Sequence, residues 1–280
     1  MLDFNFPKEC TTYTKAEQKI VNYIYENSTE FVHTSIGELS KRLGISESTI
    51  SRFARHTGYS AFKELRNAVL YHLEELRPPA DKLTHTIHQP DRSSMEGMMR
   101  YQQYCIEKTI SFLDNSKIEA AVSAITSAKV IYIYAKGASV SMSHLLKFRL
   151  SRFGVRVVLL PPGSSELFEA MNFITPEDLV ILFGFQKTSR EAKVLLKHQS
   201  IVPYKTILFS SRLYNNEDCS ATIHLYVYRG EPTEYHSMSA PAALIDALVL
   251  MTASRFGEQA TTYLSHLYDL KEQYKNDIPR

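Results

Sequence analysis

The sequence predicts an all-helical unit followed by a doubly wound α/β domain on a parallel sheet, and three features predict it. Residues 1–77 hold a series of helix caps and apolar positions at helical spacing, with no strand pattern. From about residue 130 onward, short β-rich apolar runs alternate with helical patterns. Between them, residues 78–94 contain three prolines, several polar side chains and no sustained period, which reads as a linker. The division expected is therefore 1–77, a linker over 78–94, and 95–280. Two domains also suit 280 residues, and 44% hydrophobic residues are enough for a sizeable core.

The first helix opens at Thr14 and Glu17, a capping box in which each side chain satisfies a free backbone N–H. Ile20, Val21, Ile24 and Tyr25 repeat at helical spacing and carry it to about Asn27. A short helix is expected over 29–33. A second capping box, Ser35 with Glu38, starts a helix ending at Leu43. Gly44 can take the positive φ needed just past a helix end, Ile45 plugs the corner, and Ser46 has the short oxygen that caps a new N-terminus. In the next helix Ile50, Phe53, Ala54 and Thr57 face inward, while Ser48, Thr49, Ser51, Arg52, Arg55 and His56 face outward. This is a helix-turn-helix pattern, and its second helix is a candidate reader of the DNA major groove. Gly58 then stops the chain, Ser60 caps again, and Phe62, Leu65, Val69, Leu70 and Leu73 mark a long helix ended by Pro78 and Pro79.

A polar outer face is common to any surface helix, so charge decides between the readings. Residues 41–66 hold six Lys/Arg against two Asp/Glu, whereas residues 1–77 hold ten of each. The positive charge is gathered around the proposed reading helix, as on a surface that neutralises phosphates. Lys41 and Lys63 join Ser46, Ser48, Thr49, Ser51, Arg52, Arg55 and His56 as candidate DNA contacts.

Helices are expected over 95–113 and, capped by Ser116 with Glu119, through Ala128. Strands are expected over 130–134, 155–160, 179–183, 206–209 and 223–228. Their near-continuous apolar character suits strands covered on both faces. A helix over 241–256 covers the sheet, and a polar C-terminal helix follows. Cys10, Cys105 and Cys219 are odd in number and far apart, so neither a disulfide framework nor a zinc site is expected. No apolar run has signal-peptide length and none approaches 18 uninterrupted residues, so a cytoplasmic protein without a membrane partner is expected.

The first β-α turn, Ala135, Lys136, Gly137, Ala138 and Ser139, falls at the carboxyl end of the first strand, where open α/β sheets place their ligands. Its glycine lets backbone approach a ligand, and Ser139, Ser141 or Ser143 can offer a hydroxyl to an anion at a helix N-terminus. The same residues also suit a tight turn with capping serines.

Taken together, the sequence resembles the RpiR-type bacterial transcription regulators, which join a helix-turn-helix to a sugar isomerase (SIS) domain. The specific part is Ser35-Ile36-Gly37-Glu38-Leu39, then Gly44-Ile45-Ser46-Glu47-Ser48-Thr49-Ile50-Ser51-Arg52-Phe53, then Gly58-Tyr59-Ser60-Ala61-Phe62-Lys63-Glu64-Leu65. Residues 130–139, the Phe153-Gly154-Val155 corner and Leu244-Ile245-Asp246-Ala247-Leu248 are similar to SIS sequences. The resemblance implies that the second domain senses a phosphorylated sugar or related anionic metabolite. SIS domains usually carry Ser-x-Ser-Gly-x-Thr-x-Glu after the third strand, and this chain has Gly184-Phe185-Gln186-Lys187-Thr188-Ser189-Arg190-Glu191. The two leading hydroxyls are replaced, while Lys187 and Arg190 add positive charge. The candidate effector residues are Lys136, Gly137, Ala138, Ser139, Lys187, Thr188, Ser189, Arg190, Glu191 and His236.

Two alternatives stay open. An isomerase needs a positioned base, for which Glu166, Glu169, Glu191, His224 and His236 are candidates, although no pair has a spacing that points to catalysis. Alternatively, the second domain only oligomerises. The reading favoured is a non-enzymatic regulator of carbohydrate metabolism that uses no catalytic residue, metal or cofactor. It is at least a dimer, with tetramer as the other possibility, because helix-turn-helix proteins gain affinity by pairing half-sites.

Overall fold

Both capping boxes form. Thr14 Oγ1 accepts the Glu17 N–H at 3.3 Å while the Glu17 carboxylate takes the Thr14 N–H at 2.9 Å, and Ser35 and Glu38 repeat the exchange at 3.2 and 2.8 Å. The structure, a computed structural model, describes residues 6, 13–75, 77–163, 165–185, 188–211 and 221–278. Gln186, Lys187, Cys10 and Cys219 lie outside the described residues. The chain divides into two compact units, Met1–Ser93 with Gly230–His236, and Ser94–Arg229 with Ser237–Arg280.

The first unit contains α1 (Lys15–Glu26), α2 (Ser28–Phe31), α3 (Ile36–Leu43), α4 (Glu47–His56), α5 (Phe62–Glu75) and α6 (Pro79–Ile87), then a 3-10 turn at Pro90–Arg92. Ile20, Ile24, Phe31, Leu39, Ile50, Phe53, Ala54 and Leu65 are fully buried and form its core. At the start of α5 the Ser60 N–H and hydroxyl both donate to the Glu64 carboxylate. One sequence expectation changes here. The expected linker over 78–94 is largely helical: Pro79 stands at the first position of α6, where a missing N–H costs nothing. Segment 230–236 belongs to this unit. The Tyr235 N–H donates to Thr86 Oγ1 at 2.7 Å, and Arg92 Nη2 lies 2.7 Å from Glu234 Oε1 with both side chains buried.

The second unit begins with α7 (Met95–Ser111) and α8 (Asn115–Ser127). Asp114 caps α8 by accepting the Ser116 N–H at 2.9 Å and the Lys117 N–H at 3.4 Å, so the cap lies two residues before the expected Ser116. Then follow β1 (Ile131–Tyr134), α9 (Ser139–Ser151), β2 (Val157–Leu159), α10 (Ser165–Met171), β3 (Leu179–Phe183), α11 (Arg190–His198), β4 (Lys205–Ser210), β5 (Ile223–Tyr226), α12 (Ser239–Phe256) and α13 (Glu258–Gln273). All strand pairs are parallel, in the order β2-β1-β3-β4-β5. Alternation along the strands supplies both faces. Ile131, Ile133, Ile181 and Ile207 join the α7, α8, α9 and α12 side, whereas Tyr132, Tyr134, Val180, Leu182 and Leu208 join the α10 and α11 side.

By length and composition α12 could cross a membrane, with 18 residues and a mean hydropathy of 1.2. Here its Leu244, Ile245, Leu248 and Val249 are buried in the core against the sheet. At the corner before β2, Gly154 has φ 80°, and a Cβ there would fall 2.4 Å from the Tyr263 ring of α13. Gly154→Ala should therefore destabilise this unit by more than the ~1 kcal/mol of a left-handed residue alone. Thermal denaturation checks this, and an unchanged melting temperature would refute the close approach.

Candidate nucleic-acid interface and candidate effector site

The turn between α3 and α4 forms as its residue types dictate. Gly44 takes φ 63° and ψ 40°, the Ile45 N–H reaches back to the Ser40 carbonyl at 3.1 Å, and Ser46 Oγ accepts the Thr49 N–H at 3.2 Å. Ile45, Ile50, Phe53, Ala54 and Thr57 are buried, which fixes the outward face. On that face Ser46, Ser48, Arg52, Arg55 and His56 are exposed, Thr49 and Ser51 are half-buried, and nearby Lys41 and Lys63 are exposed. Ser46 Oγ also lies 2.9 Å from Ser48 Oγ and 2.8 Å from Thr49 Oγ1, and Arg52 Nη2 donates to Thr49 Oγ1 at 3.4 Å. The short side chains of the first turn thus hold one another.

Two of the local basic side chains do structural work. Arg42 pairs with Glu30 of α2 and donates to the Tyr23 hydroxyl of α1, so it ties three helices together. His56 Nδ1 lies 2.7 Å from Glu17 Oε1, and the imidazole is edge-on to Tyr13. Burial pushes the Glu17 carboxyl up, but the Thr14 N–H and His56 outweigh that and hold it below the usual carboxylate range. The ring of His56 is thereby turned toward α1, although its position in the sequence marks it as outward. Lys41, Arg52, Arg55 and Lys63 make no ion pair with a described residue.

In the second unit the strand order reverses between β1 and β3, and at such a switch point the carboxyl ends of neighbouring strands open a crevice. The two loops singled out in the sequence follow β1 and β3. Lys136 Nζ lies 3.1 Å from Glu191 Oε1. Ser189 caps α11 by accepting the Ala192 N–H at 3.2 Å, and its hydroxyl donates to the Tyr134 phenol oxygen at 3.3 Å. The Tyr134 hydroxyl donates to the Pro162 carbonyl at 3.1 Å. Glu191's own N–H, Ser189 and Lys136 hold its carboxyl at about 2, far below the usual range. The stability this contributes is fully present above the unfolded value near 4.5 and is lost as pH falls toward 2.

The remaining candidates divide. Gly137 has φ 61° with open space where a side chain would project, Lys136 and Ala138 are exposed, and Ser139 begins α9. Ser141 and Ser143 donate to the Ala138 and Val140 carbonyls, both at 2.7 Å, so those hydroxyls serve the helix. A Cβ at Gly184 would lie 3.2 Å from Thr188 Oγ1 and 3.3 Å from Leu208, so any side chain there would require those neighbours to give way. Arg190 is exposed. His236 lies in segment 230–236, which belongs to the first unit. Glu166 and Glu169 are exposed on α10, and His224 borders a small pocket with Asp114 and Lys117 beside the start of α8. Among the described residues no three His, Cys, Asp or Glu side chains are grouped to hold a metal ion.

Arg229 was not singled out by the sequence. It follows β5, stacks 4.6 Å over the Phe185 ring beyond β3, and donates from Nε to the Ser237 carbonyl at 3.1 Å. Burial draws its pKa down to about 10. No local pattern marks a loop arginine, and only the strand order brings it to Phe185.

Residues 7–75 match the family described as the helix-turn-helix domain, rpiR family, and residues 124–251 match the SIS domain. Among solved structures, the Vibrio vulnificus NanR protein complexed with ManNAc-6P aligns over 93% of this chain and 94% of its own, at 17% identity and a TM-score of 0.59. The sugar isomerase domain of an RpiR transcription factor from Sphaerobacter thermophilus aligns over 61% of this chain and 96% of its own, at 21% identity and 0.57. At these identities the likeness establishes the fold.

Proposed function

The chain belongs to the RpiR-type transcription regulators, and from that membership we propose that it binds operator DNA through α4 and adjusts that binding to a phosphorylated sugar or related anionic metabolite at its SIS domain. The observation that carries the reading is the outward face of α4. It combines hydrogen-bonding Ser48 and Thr49 with Arg52 and Arg55, neither of which is spent on an ion pair with a described residue. A helix of ten residues, polar outside and apolar inside, fits the width of a major groove. Ser46, Ser48, Thr49, Ser51, Arg52 and Arg55 are assigned to base edges and adjacent backbone, with Lys41 and Lys63 on phosphates. His56, turned toward Glu17, takes a supporting place.

The effector is placed at the carboxyl edge between β1 and β3, among Lys136, Gly137, Ala138, Ser139, Thr188, Ser189, Arg190 and Glu191. NanR was solved with ManNAc-6P, which supports a phosphorylated sugar as the class of ligand. The helix-turn-helix match over residues 7–75 favours a sensor over an isomerase, and a reader of chromosomal DNA belongs in the cytoplasm. Selection of bound fragments from a genomic DNA pool, repeated with a panel of sugar phosphates, tests the proposal. Enrichment of one motif, with occupancy changed by one sugar phosphate, is expected. No enrichment would overturn the DNA-reading half, and enrichment indifferent to every ligand would overturn the sensing half.

The protein is further proposed to be a dimer or tetramer. Met95, Met99 and Ile110 of α7 are 77%, 62% and 58% exposed, an apolar row available to a second copy. Light scattering at micromolar concentration should give at least twice the 32.0 kDa chain mass. A monomer would remove this part of the proposal.

A further inference from the structure

At the carboxyl edge of the sheet, the groups that attract an anion already face one. Lys136 Nζ is 3.1 Å from Glu191 Oε1, and the Glu191 N–H at the start of α11 also favours that carboxylate. The other oxygen, Oε2, is buried with no hydrogen-bond partner among the described residues. With a pKa near 2, the carboxylate stays charged throughout the physiological range.

We propose that Glu191 is a built-in competitor for the effector's anionic group, so that a ligand binds only when its anion displaces the carboxylate from Lys136. The proposal rests on the reading of this edge as the effector site, and it narrows the ligand. A phosphomonoester near pH 7 carries about 1.5 to 2 negative charges and three strong acceptor oxygens. Glu191 offers one charge. A phosphorylated ligand therefore wins Lys136, whereas a neutral sugar or a monocarboxylate does not. Displacement also supplies what sensing needs, a ligand that interacts differently with two arrangements. Glu191 lies in the first turn of α11 and Lys136 in the turn after β1, so exchanging this ion pair uncouples those two segments.

The test is calorimetric titration of inorganic phosphate and of acetate into the full chain, as wild type, as Glu191→Gln and as Glu191→Gln with Lys136→Met. Glutamine keeps the size and removes the charge. Glu191→Gln should bind phosphate roughly tenfold tighter than wild type, the effect of removing one competing charge-assisted hydrogen bond, and Lys136→Met should abolish the gain. Wild type should bind phosphate in preference to acetate. Phosphate bound equally well, or less well, by Glu191→Gln would overturn the competition while leaving the effector site in place. No phosphate bound by either protein would overturn the effector site and the competition with it. Should Glu191→Gln fail to fold, wild type decides alone, because acetate bound as tightly as phosphate would refute the selectivity.

Discussion

Arg92→Ala should cost about 3–5 kcal/mol of stability, the usual penalty for leaving a buried charge without its ionic partner. Arg92 Nη2 lies 2.7 Å from Glu234 Oε1, and the two side chains are only 9% and 6% exposed. Glu234 cannot turn to water for compensation. Its Oε2 also accepts the Glu231 N–H at 2.8 Å, so the carboxylate organises segment 230–236 as well as pairing with the arginine. Replacing both partners with leucines of similar volume should recover much of the loss, because a buried ion pair seldom outperforms well-packed apolar groups. Urea denaturation of the full chain reads this as a lower midpoint for the transition of the first unit. A single variant within about 0.5 kcal/mol of wild type, the range of ordinary surface substitutions, would show that the pair is not desolvated in solution.

The same ion pair explains what the sequence did not reveal. Residues 78–94 looked like a linker because two prolines stand together and no apolar stripe follows. Pro79 in fact occupies the first position of α6, and the buried residues of that helix are Lys82 and Thr86, a cation and a hydroxyl that no hydrophobic period would flag. Thr86 is satisfied by the Tyr235 N–H, 149 residues away in the chain, and Arg92 by Glu234. Such a helix is specified by tertiary partners, and tertiary context routinely overrides local propensity. Local grammar served where partners are local. The capping boxes at Thr14 and Ser35 and the left-handed Gly44 depend on residues within one turn, and they formed as read. The strands were also legible to within a few residues, because burial on both faces writes a continuous apolar run. The α8 cap was displaced because Asp114, an equally good cap, stands just ahead of Ser116.

The candidate sites follow the same division. Which residues of α4 face outward was readable from a period of 3.6, but the commitment of His56 to Glu17, 39 residues away, was not. Lys136 and Glu191 were each singled out as effector contacts, yet their pairing across 55 residues depends on β1 lying beside β3. Strand order is set by the packing of whole βαβ units, so it does not appear in any one window of sequence. The sequence therefore supplied the members of the candidate effector site without the ion pair that governs its chemistry.

Arg52→Ala should abolish discrimination between operator and random DNA at one or more base pairs while leaving the fold intact. Arg52 is exposed in the middle of α4, makes no ion pair with a described residue, and reaches only the Thr49 hydroxyl at 3.4 Å. Removing a hydrogen bond to a base edge there costs roughly 1–3 kcal/mol, and in a dimer the penalty applies to both half-sites. Ser48→Ala should act in the same sense and more weakly, since a neutral hydroxyl makes a weaker hydrogen bond than a guanidinium. Lys41→Ala supplies the contrast. Placed in the last turn of α3, away from the reading face, it is assigned to phosphate, so its removal should weaken binding to all sequences alike and reduce the salt slope by about one. Fluorescence anisotropy with an operator duplex and a scrambled duplex, each at several salt concentrations, separates the two effects. If Arg52→Ala lowered affinity for both duplexes equally and flattened the salt dependence, Arg52 would be a phosphate contact and the reading face of α4 would have to be reassigned.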